Sequence, residues 1–152
     1  MCIRDRANIG INIDAEEAER LDLSLEIVEV VLSNPELAEW DGLGFVVQAY
    51  NKRASAVIDW LYNLTEKLGR KLMVRLVKGA YWDTEIKRAQ VEGLSHYPVF
   101  TSKSATDVSY ICCAQQLLQM SDRIYAQFAT HNAHTVAAVS YTHLTLPTTP
   151  YV

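Results

Sequence analysis

The sequence predicts an α/β fold, and three observations predict it. Short apolar runs alternate with longer amphipathic stretches through the middle of the chain. Strand, helix, strand, helix in that order marks parallel βα units, whose crossovers are right-handed. The candidate functional residues fall at the C-terminal ends of the predicted strands, the face on which (β/α) barrels build their sites. No glycine-rich phosphate loop follows the first strand, as a dinucleotide-binding Rossmann unit would require. A doubly wound sheet shares the alternation, but the placement of the polar residues favours a (β/α) barrel.

The elements follow from local pattern. Ile9 to Asp14 is β-branched with a polar end and reads as a strand. Ala15 to Leu32 carries Leu21, Leu25, Val28 and Leu32 at helical spacing. Asn34-Pro35 and Asp41-Gly42 break it. Gly44 to Tyr50 is a second strand, and Ser55 to Leu68 a second helix with Gly69 as its stop. Lys71 to Lys78 is almost continuously apolar, which predicts a third strand buried on both faces. Asp83 to Val91 is helical, with Glu85 and Arg88 one turn apart. Tyr97 to Phe100 is a short extended segment. Thr106 to Met120 is a helix carrying Val108, Ile111, Cys112, Gln115 and Leu118. Ile124 to Ala129 is the last strand and runs into Thr130-His131-Asn132.

Composition narrows the classes of function. A chain of 152 residues with 49% hydrophobic residues can bury one modest core. A net charge of -4 gives no electrostatic footprint for nucleic acid. No apolar run approaches the roughly 20 residues of a membrane span. Met1 to Arg6 has charge but no apolar core, so it is no secretory signal. The 3 cysteines have no metal-ligand spacing and fit a reducing, cytoplasmic setting. Adjacent Cys112 and Cys113 read as small helical side chains, at least one of them in the core. From residue 140 the composition shifts to Thr and Pro without periodicity, which predicts a disordered tail. Met1 to Arg6 and Val139 to Pro150 both look like translated sequencing-adapter read-through. That divides the chain into an artefactual leader (1-6), a natural segment (7-139) and an artefactual tail (140-152).

The strand ends collect one carboxylate (Asp14), one amide (Gln48), two cations (Arg75, Lys78), an aromatic pair (Tyr81, Trp82) and the turn Thr130-His131-Asn132. Cations suit an anionic or electron-rich ligand, and an amide can read a heterocycle edge with donor and acceptor together. A flavin is one ligand that needs such a set. Each residue also has a plain structural role open to it. Asp14 could cap the next helix. Arg75 and Lys78 could pair with Asp14 or Asp83. Tyr81 and Trp82 could be core, and His131 a hydrogen-bonded structural histidine. His134 lies one turn beyond His131, but no third ligand accompanies them, so no metal site is expected. Lys78 at a strand end would also suit a Schiff-base aldolase.

Four segments, Asn12 to Glu17, Gly44 to Tyr50, Arg75 to Asp83 and Gln127 to Asn132, resemble the proline dehydrogenase family of bacterial bifunctional proline-utilisation flavoproteins. The run Arg-Leu-Val-Lys-Gly-Ala-Tyr-Trp-Asp is the most specific, and the others occur in the same order. The resemblance implies a distorted, TIM-like (β/α)8 barrel with noncovalent FAD. It implies oxidation of L-proline to Δ1-pyrroline-5-carboxylate, with electrons passed to membrane quinone. The implied setting is cytoplasmic, with peripheral attachment at the inner membrane face in the parent protein.

Carried over by residue, Arg75 and Gln48 would meet the isoalloxazine ring, and Val77, Lys78 and Gly79 would line the FAD. Thr101, Lys103, Thr130, His131 and Asn132 would meet its pyrophosphate or adenosine side. Asp14 and Tyr81 would stand beside the proline pocket. The family's late arginine pair for the proline carboxylate, and an earlier active-site lysine, have no counterpart in this sequence. Truncation at both ends is therefore expected. A second possibility is that the chain exists only as a conceptual translation without activity. The 152-residue chain is expected neither to retain FAD nor to oxidise L-proline. Refolding it with excess FAD, desalting and assaying proline-dependent dye reduction would reverse this expectation if stoichiometric flavin or turnover remained.

Overall fold

The structure is a computed structural model that describes residues 9–144. The expected leader at residues 1–6 and the end of the expected tail at 145–152 lie outside the described residues. Among the described residues four strands form one parallel sheet: β1 (Ile11–Ile13), β2 (Leu43–Gln48), β3 (Leu72–Val77) and β4 (Ile124–Phe128), side by side in chain order. The helices are α1 (Leu21–Leu32), α2 (Ala54–Leu68), α3 (Trp82–Val91), α4 (Lys103–Gln119) and α5 (Ala133–Leu144).

Strand order separates the two candidate architectures. A doubly wound sheet reverses its strand order at a switch point, whereas here each strand is added on the same side of the last. The main core lies on one face of the sheet. Leu43, Phe45, Val47, Leu72, Val74, Leu76 and Ile124 pack there against Leu25, Val28 and Leu32 of α1, Val57, Ile58, Leu61 and Leu64 of α2, and Tyr110, Cys113, Ala114 and Leu117 of α4. The opposite face carries the alternate residues. Register aligns Val46 with Arg75 and Arg75 with Gln127 in one row. Helices outside and polar residues inside describe the wall of a (β/α) barrel.

Several expectations are corrected. β3 is not buried on both faces: Leu72, Val74 and Leu76 are buried, while Met73, Arg75 and Val77 are half-buried. Its inner face opens on the barrel interior, and β2 is the strand buried throughout. The first helix begins later than Ala15, with a 3-10 turn at Ala18–Arg20 before α1, because residues 16–18 are tied to neighbouring elements. α4 begins at Lys103, three residues ahead of the expected start, and is rotated from the expected face. Val108 is exposed, while Tyr110 turns inward and reaches the Leu76 and Ala129 carbonyls at 3.4 Å each. Burial pushes that phenol up to about 12. Of the cysteine pair, Cys113 is buried and Cys112 exposed.

α5 runs through residues 140–144, so the disordered tail expected from residue 140 is corrected for those five. Asn132 caps it, accepting the Thr135 amide at 3.0 Å. Tyr97 to Phe100 makes one antiparallel bridge, Asn51 with Val99, and Phe100 donates its amide to Tyr50 at 2.8 Å. α2 stops as its sequence demands, with Gly69 in the left-handed region at φ 65°.

Arg70 was not singled out by the pattern, yet it fastens the α1–β2 connection. Its guanidinium, 7% exposed, donates to the Leu32, Leu37 and Trp40 carbonyls at 2.9, 2.7 and 2.7 Å. It thereby gives a partner to the Leu32 carbonyl at the C-terminal end of α1. Arg70→Met should lower the free energy of unfolding by about 3 kcal/mol. A urea midpoint unchanged from the parent chain would refute this.

Candidate active site

The C-terminal ends of the strands open into a cleft of about 580 Å³. Asp14 and Glu16 reach it from the loop after β1, Gln48 from the end of β2, and Val77, Lys78, Gly79 and Tyr81 from β3 and its loop. Lys103 enters from the first turn of α4, and Thr130, His131 and Asn132 from the turn after β4. Arg75 sits one step deeper on the inner face of β3, beside Val46 and Gln127. Of the residues singled out from sequence, Thr101 is exposed just ahead of α4 and is not among the lining residues.

Gln48 holds the floor together. Its Nε2 donates to the Glu16 carbonyl at 2.8 Å, and its Oε1 accepts the Ala80 amide at 3.0 Å. An amide has two donors and two lone pairs, so one of each remains for a ligand. Gly79 follows at φ 146°, where a side chain is strained, and a Cβ there would lie 2.5 Å from the Tyr50 ring. Burial, with the Glu85 carboxylate adding to it, raises the Tyr50 phenol to about 12.

The two cations each face a carboxylate. Arg75 Nη2 is 3.6 Å from Asp14 Oδ1, a loose contact to a side chain that is 75% exposed, and Arg75 Nε is buried without a hydrogen-bond partner. Asp14 therefore meets Arg75 and caps no helix; Glu17 and Arg20 hold the cap positions there. Lys78 pairs with Asp107 of α4, not with Asp14 or Asp83. An imine-forming lysine needs an apolar pocket or a second cation beside it, and Lys78 has a carboxylate. The Tyr81 hydroxyl donates to Glu16 Oε2 at 2.9 Å, and that hydrogen bond, reinforced by the carboxylate's charge, raises its pKa. Trp82 donates its indole N–H to the Phe100 carbonyl at 2.9 Å.

Three participants escaped the sequence reading. Glu85, 3% exposed, accepts the Ala18 amide through Oε1 at 2.6 Å. Its position four residues before buried Ala89, on one face of α3, was a usable signal. Arg88, expected beside Glu85, binds Glu19 and Glu92 instead. Glu16 stood inside a segment already quoted but was not separated from its neighbours. Asp107 had no local signal, since its partner is 29 residues away.

Cations, spare amide groups and the first turn of a 17-residue helix around one cleft make a set that could take an anion-bearing ligand at the C-terminal face of a (β/α) barrel. Ser102, at the N-cap of that helix, makes no side-chain cap hydrogen bond, so the first-turn amides of α4 lack that partner. Residues 3–148 match the proline dehydrogenase family, and the chain belongs to that family. It is 62% identical over 132 residues to the bifunctional protein PutA of Klebsiella aerogenes, covering 87% of this chain and 10% of the relative. The PutA of Escherichia coli K12 is 61% identical over the same length and with the same coverage. A crystal structure of a Bradyrhizobium japonicum PutA point mutant superposes at a TM-score of 0.89 with 56% identity, over 91% of this chain and 14% of that one. Bdellovibrio bacteriovorus PutA inactivated by N-propargylglycine superposes at 0.86 with 35% identity, over 90% of this chain and 14% of that one. The chain thus spans about a tenth of the length of the curated relatives it matches.

Gly79→Ala should destabilise the fold by about 1–3 kcal/mol, because it adds backbone strain and drives a methyl group into the Tyr50 ring. Thermal unfolding together with the near-ultraviolet tyrosine signal checks this, and an unshifted melt with an unchanged spectrum would contradict it.

Proposed function

We propose that this segment forms the flavin-facing part of a site that oxidises L-proline to Δ1-pyrroline-5-carboxylate, using noncovalent FAD and delivering electrons to quinone. The observation that carries the reading is the gathering of Gln48, Val77, Lys78, Gly79, Lys103, Thr130, His131 and Asn132 around one cleft, with Asp14 and Tyr81 on its rim and Arg75 beneath. In this reading the first eight, with Arg75 and Thr101, hold the cofactor, while Asp14, Arg75 and Tyr81 serve the reacting centre. The residues fit the group: Arg75 keeps a buried, unpartnered N–H, and Lys103 and His131 stand near the N-termini of α4 and α5, where phosphate oxygens are favoured.

When bound, the flavin supplies two-electron oxidation by accepting a hydride from the proline C5. The chain contributes position and charge. Arg75 places a cation where negative charge would develop, and Asp14 stands loosely beside it at 3.6 Å. Asp14 and Tyr81 bound the space beside it. Proline must arrive as the neutral amine, because its lone pair drives the hydride out, so positioning matters more here than a strong base. The proposed setting is cytoplasmic, with peripheral attachment at the inner membrane face where quinone is found. Among the described residues no helix is long and apolar enough to cross a membrane.

The test is a chimera in which this chain's residues replace the matching 132-residue segment of the Escherichia coli relative. Retained flavin and proline-dependent dye reduction are expected, and a folded chimera with neither would refute the reading. In that chimera Arg75→Met should slow flavin reduction by proline about 100-fold or more while leaving the melting temperature nearly unchanged. Stopped-flow absorbance reads this. Full-speed reduction at normal flavin content would remove Arg75 from the chemistry.

A further inference from the structure

Glu16 and Tyr81 come from loops after different strands, 65 residues apart in sequence, and meet across the end of β2. The phenol donates to the Glu16 carboxylate at 2.9 Å, and both side chains line the cleft. Glu16 is itself fastened twice. Its carbonyl accepts Gln48 Nε2 at 2.8 Å, and two residues on, the Ala18 amide donates to buried Glu85 at 2.6 Å. The carboxylate that receives the phenol therefore stands on a segment anchored to both β2 and α3.

We infer that Glu16 is a positioning residue that pins Tyr81 as a fixed wall of the cleft and so sets how tightly a small cyclic amino acid binds. The inference deepens the proline reading and rests on it. The phenol proton is committed to Glu16, so Tyr81 offers a ligand its ring and a remaining oxygen lone pair, not a proton. A ring held before the ligand arrives removes an ordering cost from binding. Ring contact of this kind is similar in the ground and transition states, so its loss should appear more in KM than in kcat. The alternative is a solvent-facing hydrogen bond between two polar side chains, without effect on the ligand.

The chimera described above separates the two. Glu16→Ala and Tyr81→Phe should each raise the KM for L-proline about tenfold, a larger change than either makes in kcat. Glu16→Gln keeps an acceptor for the phenol and should fall between them and the parent. The double variant should be no worse than the worse single one, because both remove the same contact. Glu16→Gln should also lower the titration midpoint of one tyrosine, in a difference spectrum that disappears in Tyr81→Phe, because the charge that opposes the tyrosinate is gone. An unchanged KM in Glu16→Ala beside a raised one in Tyr81→Phe would overturn the inference, as would effects that multiply in the double variant. An unsubstituted chimera that folds without flavin or turnover sinks the proline reading itself. That failure is distinguishable, because the Glu16-dependent tyrosine titration would still be present.

Discussion

Gln48 closes β2 with a side-chain amide that reaches the Glu16 carbonyl on one side and the Ala80 amide on the other. It is only 8% exposed, so an unpartnered amide there would carry the full cost of its desolvation. The bond to Glu16 fixes the loop after β1 relative to β2. The bond from Ala80 fixes the loop after β3 on the opposite flank. Every cleft residue from Asp14 to Glu16, and from Lys78 to Tyr81, stands on one of these two loops. The geometry of the site therefore hangs on one side chain whose backbone lies in the middle of the sheet.

Sheet register explains why that side chain is where it is. Gln48 pairs with Val77, two residues beyond the row that aligns Val46 with Arg75. Inner-face residues alternate with helix-facing ones along each strand. The same six-residue strand thus supplies Phe45 and Val47 to the core and Val46 and Gln48 to the interior. A one-residue slip of β3 against β2 would exchange Arg75 with Val74 or Leu76 and place a guanidinium in an apolar layer. Burial of Val74 and Leu76 against α2 and α4 opposes that slip, so the core that stabilises the wall also aims the cation.

The alternation of strands and helices was legible in sequence because apolar periodicity is a local property. Leu43–Gln48, Leu72–Val77 and Ile124–Phe128 fall within about a residue or two of their expected spans. What was not legible depended on partners distant in the chain. The expected apolar face of α4 put Val108 inward; the structure puts Tyr110 there, whose hydroxyl needs the Leu76 and Ala129 carbonyls. The late start of α1 came from ties to Gln48 and Glu85, which no local pattern announces. The candidate site was legible as residue types at strand ends and through the family resemblance. Its wiring was not: Lys78 took Asp107, and Gln48 took backbone partners.

The cleft is polarised along its length, and this bears on how two ligands could share it. Asp14 and Glu16 stand on the β1 side, whereas Lys78 and Lys103 stand on the β3–α4 side. A net charge of -4 over the whole chain hides this separation. Lys78 is partly neutralised by Asp107, and Arg75 only loosely by an exposed Asp14. The positive ends of α4 and α5 add to the basic side. In the proposed function the cofactor's phosphates would lie toward α4 and its ring toward β3. The carboxylate end, where the Tyr81 phenol donates to Glu16, is the proposed place of the small substrate. The proposed pairing of a dinucleotide-like cofactor with an amino acid follows the same division of charge, with Arg75 at the boundary between the two halves.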